Sequence, residues 1–140
     1  MVLDALQKKI SSPLNYFVFD KKTNSFIFKH KTLFLAKPQS FMNASGQAIQ
    51  NLINYYKFKI DDLVVIHDDF DLPLGRIKIV KSGGDAGHHG IESIIKSLKT
   101  PGFTRVRLGI FGEKKLVHNL KADKVVLENF SSDEMGTAKH

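Results

Sequence analysis

The run of apolar residues LVVI at positions 63–66 constrains the fold more than any other stretch. A half-exposed strand alternates between apolar and polar residues, whereas these four residues are apolar on both faces. We therefore expect a central strand that is covered from both sides. Polar residues and turn formers follow at once in HDDFDLPLG, where we expect the chain to leave the sheet. A doubly covered strand of this kind is typical of α/β proteins.

Segments with helical and strand periodicity alternate along the rest of the chain. Helices are predicted at residues 2–10, 45–56 and 91–98. Strands are predicted at residues 15–20, 25–30, 32–36, 63–66, 76–80 and 105–111, with a hairpin turn at 21–24 and a short helix or loop near 125–130. Asn43 or Ser45 is the expected N-cap of the second helix. The length of 140 residues suits one core. We predict a single α/β domain over residues 1–140, with a mixed, twisted sheet flanked by helices.

The balance of charges favours a polyanionic partner. Lys and Arg number 21 against 14 Asp and Glu, which gives a formal charge of +7. Clustered basic residues gain affinity for phosphates by releasing counterions, although a solvated basic surface without a specific partner is the alternative. No apolar run approaches the roughly 20 residues that span a bilayer. The absence of cysteine excludes disulfides and thiolate metal sites, which is compatible with the cytosol.

Three acidic residues follow the predicted central strand closely: Asp68, Asp69 and Asp71. They cannot all be buried and ionised side by side, because like charges raise one another's pKa. One interpretation is a solvated polar turn. The other keeps Asp68, at the tip of the strand, directed at an imidazole, whose tautomer and protonated form such an acid stabilises.

Two further polar segments follow predicted strands, and we expect all three to form one concave rim beyond the strand ends. In SGGDAGHHG, His88 and His89 precede a helix whose free amides favour an anion. A histidine at this position is also a common structural hydrogen-bonder. In SFMNASG, the side chain of Asn43 can hold a carbonyl group or a water molecule, or it can simply cap a helix.

A metal site is a rival interpretation of the same segments. Four residues are chemically able ligands: His67, Asp68, His88 and His89. Their spacing does not follow the HxxxH or HxH patterns of metal sites, so we expect no metal and no other cofactor. Metal-dependent hydrolysis remains an alternative on this basis.

Taken together, the motifs resemble those of the bacterial-type peptidyl-tRNA hydrolases. The matching segments, in the order and spacing of that family, are FLAKPQSFMNASG, VVIHDDFDLPLGRIKIVKSGG, GHHGIESIIKSL and FTRVRLGI. They cover most of the chain from about residue 33 to residue 130. The resemblance implies an enzyme that hydrolyses the ester between a peptide and the 3′ ribose of its tRNA, which recycles tRNA from stalled translation in the cytoplasm.

The resemblance also implies roles for individual residues. Asp68 matches the family's orienting aspartate, and Asn43 matches the asparagine that holds the peptide or the water. Phe41 lies at the aromatic position of the tRNA site. His88 corresponds to the histidine before the second clamp residue, and we include it with Asp68 and Asn43 in the predicted catalytic set. Three basic residues lie in segments that meet tRNA phosphates: Lys78, Arg105 and Arg107. The partner implied is tRNA, bound by a protein that is a monomer in this family.

Some features depart from the family pattern. His89 occupies the substrate-binding position where the family has the asparagine of GHNG. The family opens with a strand and a loop of the type TRHNAG, which carries the general-base histidine, and it closes with a long helix; we expect this chain to lack both. The first central strand would then be missing, self-association through an unpaired edge would be favoured, and the rate would fall by roughly 10²–10⁴-fold. A non-catalytic relative that binds tRNA or another RNA is the alternative.

Overall fold

The computed structural model describes residues 2–11 and 16–111 of the chain. The chain divides into two compact units. Among the described residues, the first unit contains residues 2–11, 16–59 and 84–101, and the second contains residues 60–83 and 102–111. The short helix or loop predicted near residues 125–130 lies outside the described residues.

The first unit contains three helices and one antiparallel sheet. Its elements are α1 (Val2–Ile10), β1 (Val18–Asp20), β2 (Ser25–His30), β3 (Leu33–Pro38), α2 (Ser45–Tyr56) and α3 (His89–Leu98). The strands lie in the order β1-β2-β3, and a tight turn at residues 21–24 joins the first two. The predicted helices and strands of this unit are confirmed within one to three residues, apart from residues 12–15, which the structure does not describe.

The described part of the second unit forms a three-stranded mixed sheet. Its strands are β4 (Val64–Pro73), β5 (Ile77–Lys81) and β6 (Thr104–Phe111). They lie in the order β4-β6-β5, with β4 parallel to β6 and β5 antiparallel to it. The mixed sheet and the α/β class are therefore confirmed.

The expected central strand is β4, and this expectation is wrong for the described residues. The strand in the middle of the sheet is β6, and β4 lies at an edge with Val64 54% exposed. An apolar run indicates that both faces of a strand prefer to be covered. It does not indicate whether the strand has hydrogen-bonded neighbours along both of its edges.

The prediction that HDDFDLP leaves the sheet is also wrong, because β4 continues to Pro73. Asp69 pairs with Gly109 of β6, and after an irregularity in register Pro73 pairs with Phe111. Gly109 makes this possible, since a Cβ there would lie 1.9 Å from the carbonyl oxygen of Pro73. A glycine in β6 thus allows a strand to form where the β4 sequence alone favours a turn.

We predicted that the three polar segments form one rim beyond the strand ends, and the antiparallel direction of β5 is at odds with that prediction. Lys81, the last residue of β5, pairs with Thr104, and Thr104 also pairs with Val64 at the start of β4. The glycine-rich segment therefore leaves this sheet at the end opposite to the one where β4 ends. Strand ends alone do not bring these two segments together. None of the helices in the described parts of the chain has the length and apolar character needed to cross a membrane.

We expect Gly109→Ala to lower the free energy of unfolding by about 2–3 kcal/mol, because its new methyl group would overlap the backbone of β4. Gly84→Ala is the matched control, since a Cβ at Gly84 meets no atom within 4 Å. Urea denaturation of both variants checks the prediction. Equal stability of the two variants would contradict the close approach of β4 and β6 at Gly109.

An ion pair between Asp4 of α1 and Lys37 of β3 provides a pH-dependent test. The hydrogen bond from the Lys37 ammonium lowers the pKa of Asp4 from its ordinary value of 3.8 to about 2. Because the folded-state pKa is depressed, the stabilisation is present above pH 3.8 and is lost as the pH falls through about 2. Both side chains are partly exposed, so we expect at most about 1 kcal/mol from this pair.

Asp4→Asn should therefore reduce stability at pH 7, and the difference from the parent chain should vanish by about pH 2. Urea denaturation across a pH series measures both values. Asp61→Asn is the control, because Asp61 is an exposed acid with no ion pair among the described residues. A difference for Asp4→Asn that persists undiminished at pH 2 would exclude the ion pair as its cause.

Candidate substrate site

In the first unit, Asn43 lies in a 3₁₀ turn, Met42–Ala44, directly before α2. Phe41, just ahead of the turn, is 87% exposed, and Asn43 is exposed as well. Among the described residues, the Asn43 side-chain amide has no hydrogen-bond partner, whereas its backbone carbonyl accepts a hydrogen bond of 2.8 Å from the Ser93 hydroxyl. The turn therefore exposes the Asn43 side-chain amide, while the hydrogen bond from Ser93 fixes the Asn43 backbone.

The predicted cap of α2 is wrong. The residue before the helix is Ala44, which has no side chain to cap with, and the Ser45 hydroxyl donates instead to the Met42 carbonyl at 2.7 Å. The 3₁₀ turn moves the start of α2 beyond Asn43, so the Asn43 side chain is not used as a helix cap. This placement favours the substrate-binding interpretation of Asn43, which stays a prediction.

Two glycines allow the SFMNASG and GHHGIES segments to pack closely against each other. A Cβ at Gly46 would lie 2.0 Å from the backbone carbonyl oxygen of Ser93, so α2 and α3 touch at this point. A Cβ at Gly90 would lie 2.6 Å from the Sδ atom of Met42. The two motifs therefore form one packed junction at the N-terminal ends of α2 and α3.

His88 is the N-cap of α3. Its Nδ1 atom accepts a hydrogen bond of 3.2 Å from the backbone amide of Ile91. An accepting Nδ1 places the proton of the neutral ring on Nε2. The structural interpretation of His88 is therefore realised in the fold, and its catalytic role stays a prediction.

His89 lies in the first turn of α3, with its side chain largely exposed. Its Nδ1 atom is 3.6 Å from the Glu92 carboxylate, which also pairs with the ammonium of Lys96 at 2.5 Å. The hydrogen bond from Lys96 lowers the pKa of Glu92. His89 is therefore placed in a small surface charge network, and substrate contact by His89 stays a prediction.

In the second unit, strand alternation separates Asp68 from Asp69 and Asp71. Asp69 is buried, and its carboxylate pairs with the Arg107 Nε atom at 2.5 Å. Asp71 is exposed, and Asp68, which has a half-buried side chain, lies on the opposite face of the sheet from Asp69. The fold therefore separates Asp68 from the other two acids, and the Arg107 guanidinium lies near both Asp69 and Asp71.

The register places Asp68 among apolar residues. It pairs with Leu108 of β6, and Leu108 also pairs with Ile77 of β5, so the three side chains share one face of the sheet. A carboxylate on such a face is well suited to a single directed interaction with a cationic or donor group. The role of Asp68 in orienting an imidazole stays a prediction.

The three basic residues predicted to meet phosphates share the other face of this sheet. Arg105 is 4% exposed and donates a hydrogen bond of 2.5 Å to the carbonyl oxygen of Ser82. Arg107 pairs with buried Asp69, whereas Lys78, directly opposite Arg107, is exposed. This placement favours structural roles for both arginines and leaves Lys78 as the residue best exposed for a phosphate.

Sequence reasoning missed a group of lysines over aromatic rings in the first unit. The Lys22 ammonium lies 5.2 Å from the centre of the Tyr55 ring, and the Lys29 ammonium lies 4.7 Å from the centre of the Tyr56 ring. Residues 57–59, which read KFK, continue directly from these tyrosines. Basic residues interleaved with aromatic ones in YYKFK were a readable signal for nucleic-acid binding.

In the described ranges, no three His, Asp or Glu side chains are grouped to hold a metal ion.

Comparison with known proteins identifies the class. The sequence profile described as peptidyl-tRNA hydrolase matches residues 1–140. A peptidyl-tRNA hydrolase of Geobacter sulfurreducens is 38% identical over 140 residues, which cover 100% of this chain and 70% of the relative. One from a Thermoanaerobacter species is 43% identical over 110 residues, which cover 79% of this chain and 60% of the relative.

A solved structure agrees with these sequences. The crystal structure of peptidyl-tRNA hydrolase from Acinetobacter baumannii matches with a TM-score of 0.81 at 25% identity, covering 96% of this chain and 67% of that one. The protein is thus an α/β protein of the hydrolase class. The chain belongs to the peptidyl-tRNA hydrolase family, which confirms the resemblance seen in the motifs. It spans 60% to 70% of the length of these three relatives.

Arg107 and Lys78 provide a test that separates a structural role from phosphate contact. We expect Arg107→Met to lower the free energy of unfolding by roughly 3 kcal/mol, because it leaves the buried Asp69 carboxylate unpaired. Changing Asp69→Leu in the same chain should recover most of this loss. Urea denaturation measures both effects.

Lys78→Met is the matched control on the same face. We expect it to change stability by less than about 0.5 kcal/mol and to weaken tRNA binding with a shallower salt dependence. Filter binding at several salt concentrations measures this effect. If Arg107→Met kept full stability and lost tRNA affinity, Arg107 would be a phosphate contact and not a structural residue.

Proposed function

We propose that the protein hydrolyses the ester bond between peptide and tRNA in peptidyl-tRNA. Family membership supports the reaction class. The observation that carries the proposal is the Asn43 amide, which is exposed, without a partner among the described residues, and carried on a backbone tethered to α3. An amide so presented can donate to a peptide carbonyl and accept from a water molecule at the same time.

The chemistry follows from these groups. In the proposed reaction, water attacks the ester carbonyl carbon, the bond from that carbon to the 3′ oxygen of the ribose breaks, and the 3′ oxygen takes up the proton that the water gave to the base. Asn43 holds the peptide or the attacking water, which restricts the approach to a productive geometry. Asp68 orients and stabilises the imidazole that accepts the proton of the water. In this proposal, Asn43 supplies positioning and Asp68 supplies electrostatic support.

The partner in this proposal is tRNA. The net charge of +7, exposed Lys78, and the lysines over aromatic rings favour contact with an RNA backbone and unpaired bases. A cytoplasmic location and action as a monomer are parts of the same proposal and follow from the family resemblance.

We expect Asp68→Asn to reduce kcat for peptidyl-tRNA on the order of 10²-fold, since a neutral amide no longer stabilises a protonated imidazole. The affinity for tRNA should stay unchanged. Asp71→Asn is the matched control: it makes the same substitution three residues along the same strand, at an exposed side chain. Release of peptide from a labelled peptidyl-tRNA measures kcat, and filter binding measures the affinity.

The result also decides between the two functions under consideration. Equal kcat values for Asp68→Asn and Asp71→Asn would remove Asp68 from the mechanism. Salt-dependent tRNA binding by the parent chain without any peptide release would instead favour the non-catalytic RNA-binding relative, for which the lysines over aromatic rings provide a surface.

A further inference from the structure

We infer that Ser93 of α3 is a positioning residue that holds Asn43 in place for the substrate. The inference rests on the proposed function, in which the Asn43 amide binds the peptide or the water. Ser93 lies in a helix that begins at His89, and its distance from Asn43 along the chain is 50 residues. Only the packing of α2 against α3 brings the two residues together.

Both hydrogen-bonding functions of the Ser93 hydroxyl are used. The hydroxyl donates its hydrogen to the Asn43 carbonyl at 2.8 Å and accepts the backbone amide of Gly46 at 3.0 Å. A hydroxyl has one hydrogen, so the Gly46 contact determines where that hydrogen points. Ser93 therefore ties the 3₁₀ turn and the first turn of α2 to the same point on α3.

These two Ser93 hydrogen bonds, called the tether below, take the place of an N-cap side chain, which α2 lacks. The first amides of a helix have no acceptor within the helix, and Ala44 cannot supply one from its side chain. Ser93 supplies it for Gly46 from the neighbouring helix. The bond to the Asn43 carbonyl then fixes the turn immediately ahead of the helix. It adds to two backbone hydrogen bonds of the turn, from the Ala44 amide to the Phe41 carbonyl at 2.9 Å and from the Ser45 amide to the Met42 carbonyl.

The geometry admits few alternatives to serine. Gly46 and Ser93 approach so closely that a Cβ at Gly46 would meet the Ser93 carbonyl oxygen at 2.0 Å. A longer polar side chain at position 93 would have to fold back between the two helices, which would push them apart. A substrate-binding amide must be held within about 0.5 Å, and a rigid turn provides that precision for Asn43.

The first measurement follows the tether directly. We expect Ser93→Ala to speed amide hydrogen exchange of Gly46 about 10-fold, corresponding to the loss of one hydrogen bond, and Ser93→Thr to restore most of the protection. Ser97→Ala is the matched control, because Ser97 lies one turn further along α3 against the same glycine and makes no hydrogen bond to the 3₁₀ turn in the described residues. Unchanged exchange in Ser93→Ala would overturn the inference.

The second measurement separates positioning from general stability. Ser93→Ala should lower kcat for peptidyl-tRNA about 10-fold at unchanged KM, and Ser97→Ala should change neither. In a chain that already carries Asn43→Ala, Ser93→Ala should cost nothing further, because the residue that it positions is gone. Losses that simply multiply in the double variant would show that Ser93 is only a helix cap, and the inference would be wrong.

The two claims can fail independently. If the parent chain releases no peptide, the proposed function fails, and the inference is then judged by the NMR signal of the Asn43 side-chain amide. A shifted or broadened Asn43 signal in Ser93→Ala, with no change in Ser97→Ala, supports the tether. An identical Asn43 signal in all three chains overturns it.

Discussion

The close approach of α2 and α3 at Gly46 is the contact on which the first unit depends. Without a side chain at Gly46, the backbone of α3 can pack directly against the start of α2. This proximity allows the Ser93 hydroxyl to reach both the Gly46 amide and the Asn43 carbonyl. The exposed amide of Asn43 and the cap at His88 thus belong to one junction of two helix N-termini, and neither helix would place them alone.

The second unit is organised by a different constraint, the alternation of side chains along β4. Neighbouring acids point to opposite faces, so Asp69 meets Arg107 in a buried pair while Asp68 lies with Leu108 on the other side. Arg105 is buried and Arg107 is half-buried against Asp69, which favours structural roles for both arginines, and exposed Lys78 lies on the same face of the sheet. The charge that the protein offers to a polyanion is therefore carried mainly by lysines, which remain hydrated on long flexible side chains.

Much of the secondary structure could be predicted from periodicity, and α2 and α3 each bury one regular helical face. The failures share a cause. The HDDFDLP segment reads as a turn, yet it forms a strand because Gly109, far away in sequence, leaves space for it. The sequence around Asn43 favours a cap for α2, but a 3₁₀ turn moves the start of α2 beyond Asn43. In both cases a contact with a distant segment outweighed the local preference.

The sequence by itself determined the class of the protein, since the ordered motifs around Asn43, Asp68 and His88 indicate the peptidyl-tRNA hydrolase family without any coordinates. It also determined the net positive charge and most of the helices and strands, because these depend on composition and short-range periodicity. Only the tertiary structure decided that β6 is the middle strand, that Arg105 is buried while Arg107 pairs with buried Asp69, and that Ser93 contacts Asn43. Those outcomes depend on which distant segments meet, and local sequence does not encode the packing of one helix or strand against another.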